Sequence, residues 1–157
     1  MAYGFNQWNK NEFKAGSIRR ASSSNDKVWG EENKTTDVLA YGTFVAVNPD
    51  GGIKKISAAT DIIHGAVVLD IYGNGAPHEK TVNVGHFSHG DSFAAQGIDG
   101  VTFKRGEKAY VIMTGANAGK VTNVKANGVD IGYWIDTVNG SVVSVTLGFV
   151  SPAAAGA

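Results

Sequence analysis

Short apolar runs separated by glycine-containing turns dominate the chain from about residue 43 onward. Several runs alternate apolar and polar positions, which places every second side chain on the same face of a strand. The pattern predicts strands at residues 43–47, 53–56, 65–72, 81–84, 108–114, 120–124, 132–138 and 141–149. Helical periodicity is weak, with at most a turn or short helix near residues 58–63. We therefore predict an all-β fold: a small antiparallel β-barrel, β-tulip or sandwich.

The last hairpin is the most strongly specified element of the pattern. Asn139-Gly140 is a dipeptide that favours a two-residue turn between antiparallel strands. The run that follows it alternates cleanly, with valine, leucine and phenylalanine at the odd-numbered positions from 143 to 149. A second turn is predicted at residues 48–52, where proline fixes one backbone angle and two glycines allow positive φ.

Residues 1–36 differ from the rest of the chain and are predicted to form an extended N-terminal arm. They are rich in asparagine and serine and show no stable strand or helix period. The β-domain is predicted over residues 37–150. Residues 151–157, which are mostly alanine, are predicted to be a flexible C-terminal tail.

The first twenty residues of this arm combine aromatic and basic side chains, which flexible tails usually lack. Aromatic and arginine side chains are common anchors of protein interfaces. One interpretation is that the arm aromatics fold back onto their own domain, and the other, which we favour, is that they dock on a different subunit. The candidate partner-binding residues are Tyr3, Phe5, Trp8, Lys10, Phe13, Lys14, Arg19 and Arg20.

Composition and charge exclude several classes of protein. The chain has 157 residues, of which 43% are hydrophobic, so it fits one folded domain. It contains no cysteine, which excludes disulfide scaffolds and thiolate chemistry. Its formal net charge of zero argues against nucleic-acid binding, and no apolar run is long enough for a membrane span. The first eight residues do not resemble a secretory signal, so we expect synthesis in a cytoplasm.

The sequence contains one local arrangement typical of a metal site. His86, His89 and Asp91 lie within six residues of one another. Residues three apart on an extended strand point to opposite faces, however, so both imidazoles reach one ion only if a bulge or turn intervenes. We favour the simpler interpretation, polar residues at a strand end and turn, and predict no metal site and no cofactor.

Catalytic patterns are also weak. Ser88 lies beside two histidines, but it lacks the Gly-x-Ser-x-Gly turn of a nucleophile elbow. The carboxylates Asp61, Asp70, Asp91 and Asp99 lie mostly in turns or next to glycine, where turn formation explains them. Residues 115–120 resemble a phosphate-binding loop only superficially, because valine follows the lysine and a strand follows the loop. We predict that the protein is not an enzyme.

Four stretches of the chain resemble tailed-phage capsid decoration proteins, also called cement proteins. They are residues 28–32 (VWGEE), 37–47 (DVLAYGTFVAV), 50–53 (DGGI) and 62–68 (IIHGAVV). Later turns before strands, 90–93 (GDSF) and 106–111 (GEKAYV), and the glycine-containing end at 145–150 (VTLGFV) add to the likeness. The resemblance covers about residues 17–150, and the aromatic, basic arm departs from it.

The resemblance implies a compact β-barrel or β-tulip without enzymatic activity, attached to the outer surface of an expanded phage head. The implied partners are the phage major capsid protein and further copies of this chain, since many members bind as trimers. The expected location is the virion, with no nucleic-acid or membrane partner. The family has no catalytic residues to transfer to this sequence.

Two other functions remain open at this stage. One is another phage structural β-barrel, such as a tail-tube or head-completion component. The other is a carbohydrate-binding or adhesin module, which usually exposes aromatic side chains in a shallow groove. Tyr133 and Trp134 are the only adjacent aromatic pair, and alternation predicts that just one of them faces outward.

Overall fold

The computed structural model describes residues 13–20, 27–69 and 81–147, which form two antiparallel sheets. The strands are β1 (Ile18–Arg20), β2 (Val28–Glu32), β3 (Phe44–Val47), β4 (Ile53–Lys55), β5 (Ile63–Val67), β6 (Thr81–Gly85), β7 (Ser92–Gln96), β8 (Lys108–Val111), β9 (Val121–Thr122), β10 (Val129–Asn139) and β11 (Val142–Leu147). A short 3-10 turn, Lys125–Asn127, precedes β10, and the described ranges contain no α-helix. No helix of the described residues has the length and apolar character to cross a membrane. The predicted all-β fold is confirmed.

The two sheets have different sizes and neither closes into a barrel within the described residues. Sheet A has the order β1-β7-β11-β10-β8-β9, and sheet B has the order β2-β6-β5-β3-β4. The edges of sheet B approach each other at a single parallel bridge between Asn33 and Ile53, rather than along a ladder. Of the predicted architectures, the sandwich therefore describes the fold best, with sheet B strongly curled.

The main hydrophobic core lies between the two sheets. Sheet B contributes Phe44 and Ala66, and sheet A contributes Phe93, Tyr133 and further side chains. The Phe93 ring packs edge-on against Phe44 with ring centres 6.3 Å apart, and stacks on Phe87 at 5.1 Å. These aromatic contacts join the sheets, because Phe44 belongs to β3 and Phe93 to β7.

A second, smaller core lies on the other face of sheet B. Val45 of β3, Val67 of β5 and Val84 of β6 point to this face. On β3 and β5 the residues that alternate with them point into the main core instead. Leu39 covers them, and it is almost fully buried. Because both faces of the central strands are covered, these strands contain consecutive apolar residues rather than a strict alternation.

Several predicted strands are found, with shifted ends. The predicted strand at 65–72 begins earlier as β5, and its residues 70–72 lie outside the described residues. Asn139 and Val142 are paired, so the tight turn of the last hairpin consists of Gly140 and Ser141, one residue later than predicted. Residues 58–60 form a turn and Ile63 already belongs to β5, so no helix is present at residues 58–63. Phe149, the last residue of the predicted alternation, lies outside the described residues.

The segment predicted to be an irregular arm contains two strands. β1 pairs with β7 of sheet A, and β2 pairs along five residues with β6 of sheet B. Both lie at the edge of a sheet and pair with a neighbouring strand on one side only. Their backbone pairing holds them in place, so their side chains need not alternate between apolar and polar. Polar sequences such as Gly30-Glu31-Glu32 in β2 therefore give no recognisable strand pattern.

Candidate functional site

The predicted partner-binding arm falls partly within the described residues. Phe13, Lys14 and Arg19 are described, and of Arg20 only the backbone is. The remaining arm residues of the prediction, Tyr3, Phe5, Trp8 and Lys10, lie outside the described residues. The structure thus places the base of the arm.

Phe13 packs within its own chain. Its side chain is only 6% exposed, and the Arg19 guanidinium lies 4.4 Å from the centre of its ring. Asn139 donates a hydrogen bond from its side-chain amide to the Phe13 carbonyl oxygen. Phe13 therefore folds back onto its own domain, as the first of the two interpretations of the arm aromatics expects. Lys14, the next residue, is exposed.

Residues 14–20 are fixed to both sheets by backbone hydrogen bonds. The Gly16 N–H donates to the Ala94 carbonyl of sheet A at 2.8 Å, and the Gly16 carbonyl accepts from Leu69, just after β5 of sheet B, at 2.9 Å. The Ala94 N–H donates to the Ser17 carbonyl at 2.8 Å. The segment that follows Phe13 is therefore held firmly against both sheets.

The histidines are arranged differently from the sequence prediction. His86 does not meet His89, which is exposed, and Asp91 is buried in an ion pair with Lys27. Instead, one ring nitrogen of His86, one ring nitrogen of His64 and one carboxylate oxygen of Glu31 all lie within 4.8 Å of one another. We call these three residues the histidine–glutamate cluster. They come from β2, β5 and the residue after β6, which are neighbours in sheet B.

Hydrogen bonds and stacking organise this cluster. Glu31 Oε1 lies 2.9 Å from His64 Nε2 and accepts a hydrogen bond from Trp29 Nε1 at 2.6 Å. The Trp29 indole stacks on the His86 ring with centres 3.7 Å apart and planes within 9°. The hydrogen bond from His64, aided by that from Trp29, lowers the pKa of Glu31 below its ordinary value.

His86 is half-buried, like the other two members of the cluster. Burial, with a smaller contribution from the charge of neighbouring His64, lowers the pKa of its imidazole, which favours the neutral form. Its Nε2 atom is buried and has no hydrogen-bond partner among the described residues. A cavity of about 240 Å³ is lined by His64 and His86 together with Tyr133 and Leu147 of sheet A.

Gly65 lets β5 lie close to β6 beside the His86 ring. A Cβ atom at this position would lie 2.6 Å from the Gly85 carbonyl oxygen, 2.7 Å from Val84 Cγ1 and 3.3 Å from His86 Cε1. The pairing of β3 with β5 also shifts register between Val45 and Ala46, opposite His64. Gly65 was the one local signal in the sequence for this close approach, but it cannot identify which side chain approaches.

The carboxylates that sequence analysis assigned to turns do form turns where the structure describes them. Asp91 Oδ2 accepts a hydrogen bond from the Ser88 N–H at 2.7 Å. Asp61 Oδ2 accepts from the N–H groups of Ser57 and Ala58 at 2.8 and 3.0 Å, and its other oxygen contacts Lys54 Nζ at 2.7 Å. Asp70 lies outside the described residues.

Asp61 is expected to contribute to a loss of stability in acid. The hydrogen bond from Lys54, with those from the backbone, holds the pKa of Asp61 at about 2, below the ordinary 3.8. Because this pKa is depressed in the folded state, the stabilisation is fully present above about pH 4 and is lost as pH falls through about 2. It amounts to about 2 kcal/mol at most.

Urea unfolding at a series of pH values measures this contribution. Asp61→Asn is expected to unfold more easily at neutral pH and to show a shallower decline between pH 4 and pH 2 than the unaltered protein. Asp99→Asn, at an exposed turn position, is the matched control and should keep the original decline. Identical pH profiles for Asp61→Asn and the unaltered protein would contradict the assignment.

Comparisons with known proteins complete the description. The model of a family described as XM1 gp53 minor capsid protein matches residues 4–147. A chain in the solved structure of the capsid of Myoviridae phage XM1 is similar to this one, with a TM-score of 0.68 and 20% sequence identity. The similarity covers 86% of this chain and 89% of that chain, and at this identity it shows a shared fold. Among curated proteins there is no match.

Proposed function

Since this chain belongs to the family of the XM1 gp53 minor capsid protein, we propose that it decorates the outer surface of an expanded phage head and stabilises contacts between major capsid protein subunits. Membership of this family is the observation that carries the proposal, and it makes the chain a capsid-associated structural protein of the virion. A minor capsid family also suggests a structural rather than a catalytic role.

The fold suits a protein that stabilises a shell by contact. Two sheets packed on one continuous core provide a stiff body, and the aromatic contacts of Phe93 couple them. In a symmetric shell every copy repeats the same contacts, so weak individual contacts add up over the whole particle. Decoration as a trimer, or by neighbouring copies, multiplies the attachment points in the same way.

The proposed attachment uses the N-terminal residues that precede the fixed base. Tyr3, Phe5 and Trp8 supply apolar area, and Lys10 and Lys14 supply positive charge for an acidic surface of the major capsid protein. Arg19 and Arg20, both in the sequence of β1, add to this positive charge. Phe13 anchors the segment to the domain rather than contacting the capsid, because it is buried.

Binding to purified expanded heads that lack this protein tests the proposal. The full chain is expected to sediment with the heads saturably and to raise the temperature at which they rupture. Deletion of residues 1–12 is expected to weaken binding at least tenfold, since each buried aromatic side chain contributes about 1.5–3 kcal/mol and tenfold corresponds to about 1.4 kcal/mol.

Two controls separate the possible outcomes. The double variant Lys104→Ala with Lys125→Ala removes two exposed cations of the domain and should bind like the full chain. Thermal unfolding of the deletion variant shows whether it is folded. Unchanged binding by a folded deletion variant would overturn attachment through the arm, and heads that never bind the full chain would overturn decoration itself.

A further inference from the structure

We propose that the histidine–glutamate cluster, Glu31, His64 and His86, is a binding site for a divalent transition-metal ion of the zinc type. Two imidazoles and one carboxylate are a donor set that Zn²⁺ accepts in proteins, with water completing the coordination. The proposal goes beyond the proposed function, because it concerns the isolated chain and does not depend on attachment to a capsid.

The spacing of the donors is close to what such an ion requires. Metal–ligand bonds of about 2.0–2.2 Å in tetrahedral geometry separate the donors by roughly 3.3 Å. The three donor atoms already lie within 4.8 Å of one another, and His64 Nε2 is 2.9 Å from Glu31 Oε1. Side-chain movements of about 1 Å bring the three donor atoms around one ion, and the strand backbones keep their positions.

The unpartnered nitrogen of His86 distinguishes the cluster from an ordinary hydrogen-bonded network. Buried polar atoms are nearly always hydrogen-bonded, because leaving one without a partner is costly. Trp29, Glu31 and His64 satisfy one another, but His86 Nε2 has no partner among the described residues. A neutral imidazole nitrogen with a free lone pair is the form that binds a metal ion.

The surroundings of the cluster supply the orientation and the space that a metal site needs. The Trp29 N–H orients the Glu31 carboxylate, and the Trp29 ring fixes the plane of His86 by stacking. The cavity of about 240 Å³ beside both histidines exceeds the roughly 30 Å³ of one water molecule, so it has space for a water ligand.

A metal ion at this site would join three strands of sheet B. Glu31 belongs to the edge strand β2, which pairs only with β6 in the described part of the chain, while His64 belongs to β5. The ion would therefore cross-link the edge strand to the centre of the sheet, and binding to the folded state should raise the melting temperature.

Calorimetric titration of the full chain, first treated with a chelator, with Zn²⁺ tests the proposal. We expect one ion per chain, a rise in melting temperature with Zn²⁺ but not with Mg²⁺, and a change in tryptophan fluorescence. The variants Glu31→Gln and His64→Ala should each bind at least about tenfold more weakly. The matched controls Glu32→Gln and His89→Ala alter neighbouring exposed residues and should bind like the unaltered chain.

Each result decides the question. Thermal melting without metal shows whether each variant is folded. If His64→Ala does not fold, Glu31→Gln still tests the site, because it keeps the size of the side chain. Absence of Zn²⁺ binding by the unaltered chain would overturn the proposal. Equal binding by the cluster variants and the controls would also overturn it, since the ion would then be held elsewhere.

Discussion

Replacing Asp91 by alanine is expected to lower the free energy of unfolding by about 3–5 kcal/mol. Asp91 is 1% exposed and forms a buried ion pair with Lys27, which is itself 9% exposed. The substitution leaves the Lys27 ammonium group buried without this carboxylate, and a buried charge that loses its partner is strongly destabilising. It also removes the acceptor for the Ser88 N–H, so the turn before β7 loses a hydrogen bond.

Urea or guanidinium unfolding of the purified chain measures this loss. Asp99→Ala is the matched control, because Asp99 is exposed in a turn and its replacement should change the stability by no more than about 0.5 kcal/mol. Combining Asp91→Ala with Lys27→Met should restore part of the stability, since it removes the buried charge as well. A loss below about 1 kcal/mol for Asp91→Ala would show that the pair contributes little.

Replacing Phe93 by alanine is expected to cost about 3–5 kcal/mol. The side chain is fully buried and touches aromatic rings on two sides: Phe44 of sheet B and Phe87 in the loop before β7. Its removal loses the transfer energy of the ring and leaves a cavity between the sheets. Since small domains are stable by about 5–15 kcal/mol, this is a large part of the total.

The same unfolding measurement, with near-ultraviolet circular dichroism, tests the Phe93 prediction. Phe93→Leu keeps most of the volume and should lose clearly less than Phe93→Ala. Val124→Ala removes a 44% exposed side chain and should lose little. Comparable losses for Phe93→Ala and Val124→Ala would mean that the two sheets do not depend on the aromatic contacts.

The sequence predicts those parts of the fold in which local pattern and burial coincide. β3, β6 and β11 were found because apolar positions or turn residues mark them directly. β1 and β2 were not predicted, because an edge strand of polar residues is specified by its pairing partner and not by its own periodicity. The observed strand ends differ from the predicted ones for a related reason. Each strand ends where its hydrogen-bonded pairing with the neighbouring strand ends, and the sequence pattern does not mark that point.

The side-chain clusters were harder to predict than the strands. Asp91 was interpreted with its sequence neighbours, whereas its partner Lys27 lies 64 residues away. His86 was considered with His89, although the groups that meet it, Glu31 and His64, belong to other strands. The histidine–glutamate cluster depends on the strand order of sheet B, and the Asp91–Lys27 pair depends on how the two sheets pack together. Periodicity alone determines neither.

The attachment of Gly16 to both sheets determines how the domain would carry mechanical load. Tension applied through the N-terminal residues reaches the body where Gly16 bonds to Ala94 on one side and to Leu69 on the other. The pull is then divided between the two layers. Such a force therefore loads the sandwich as a unit rather than β1 alone.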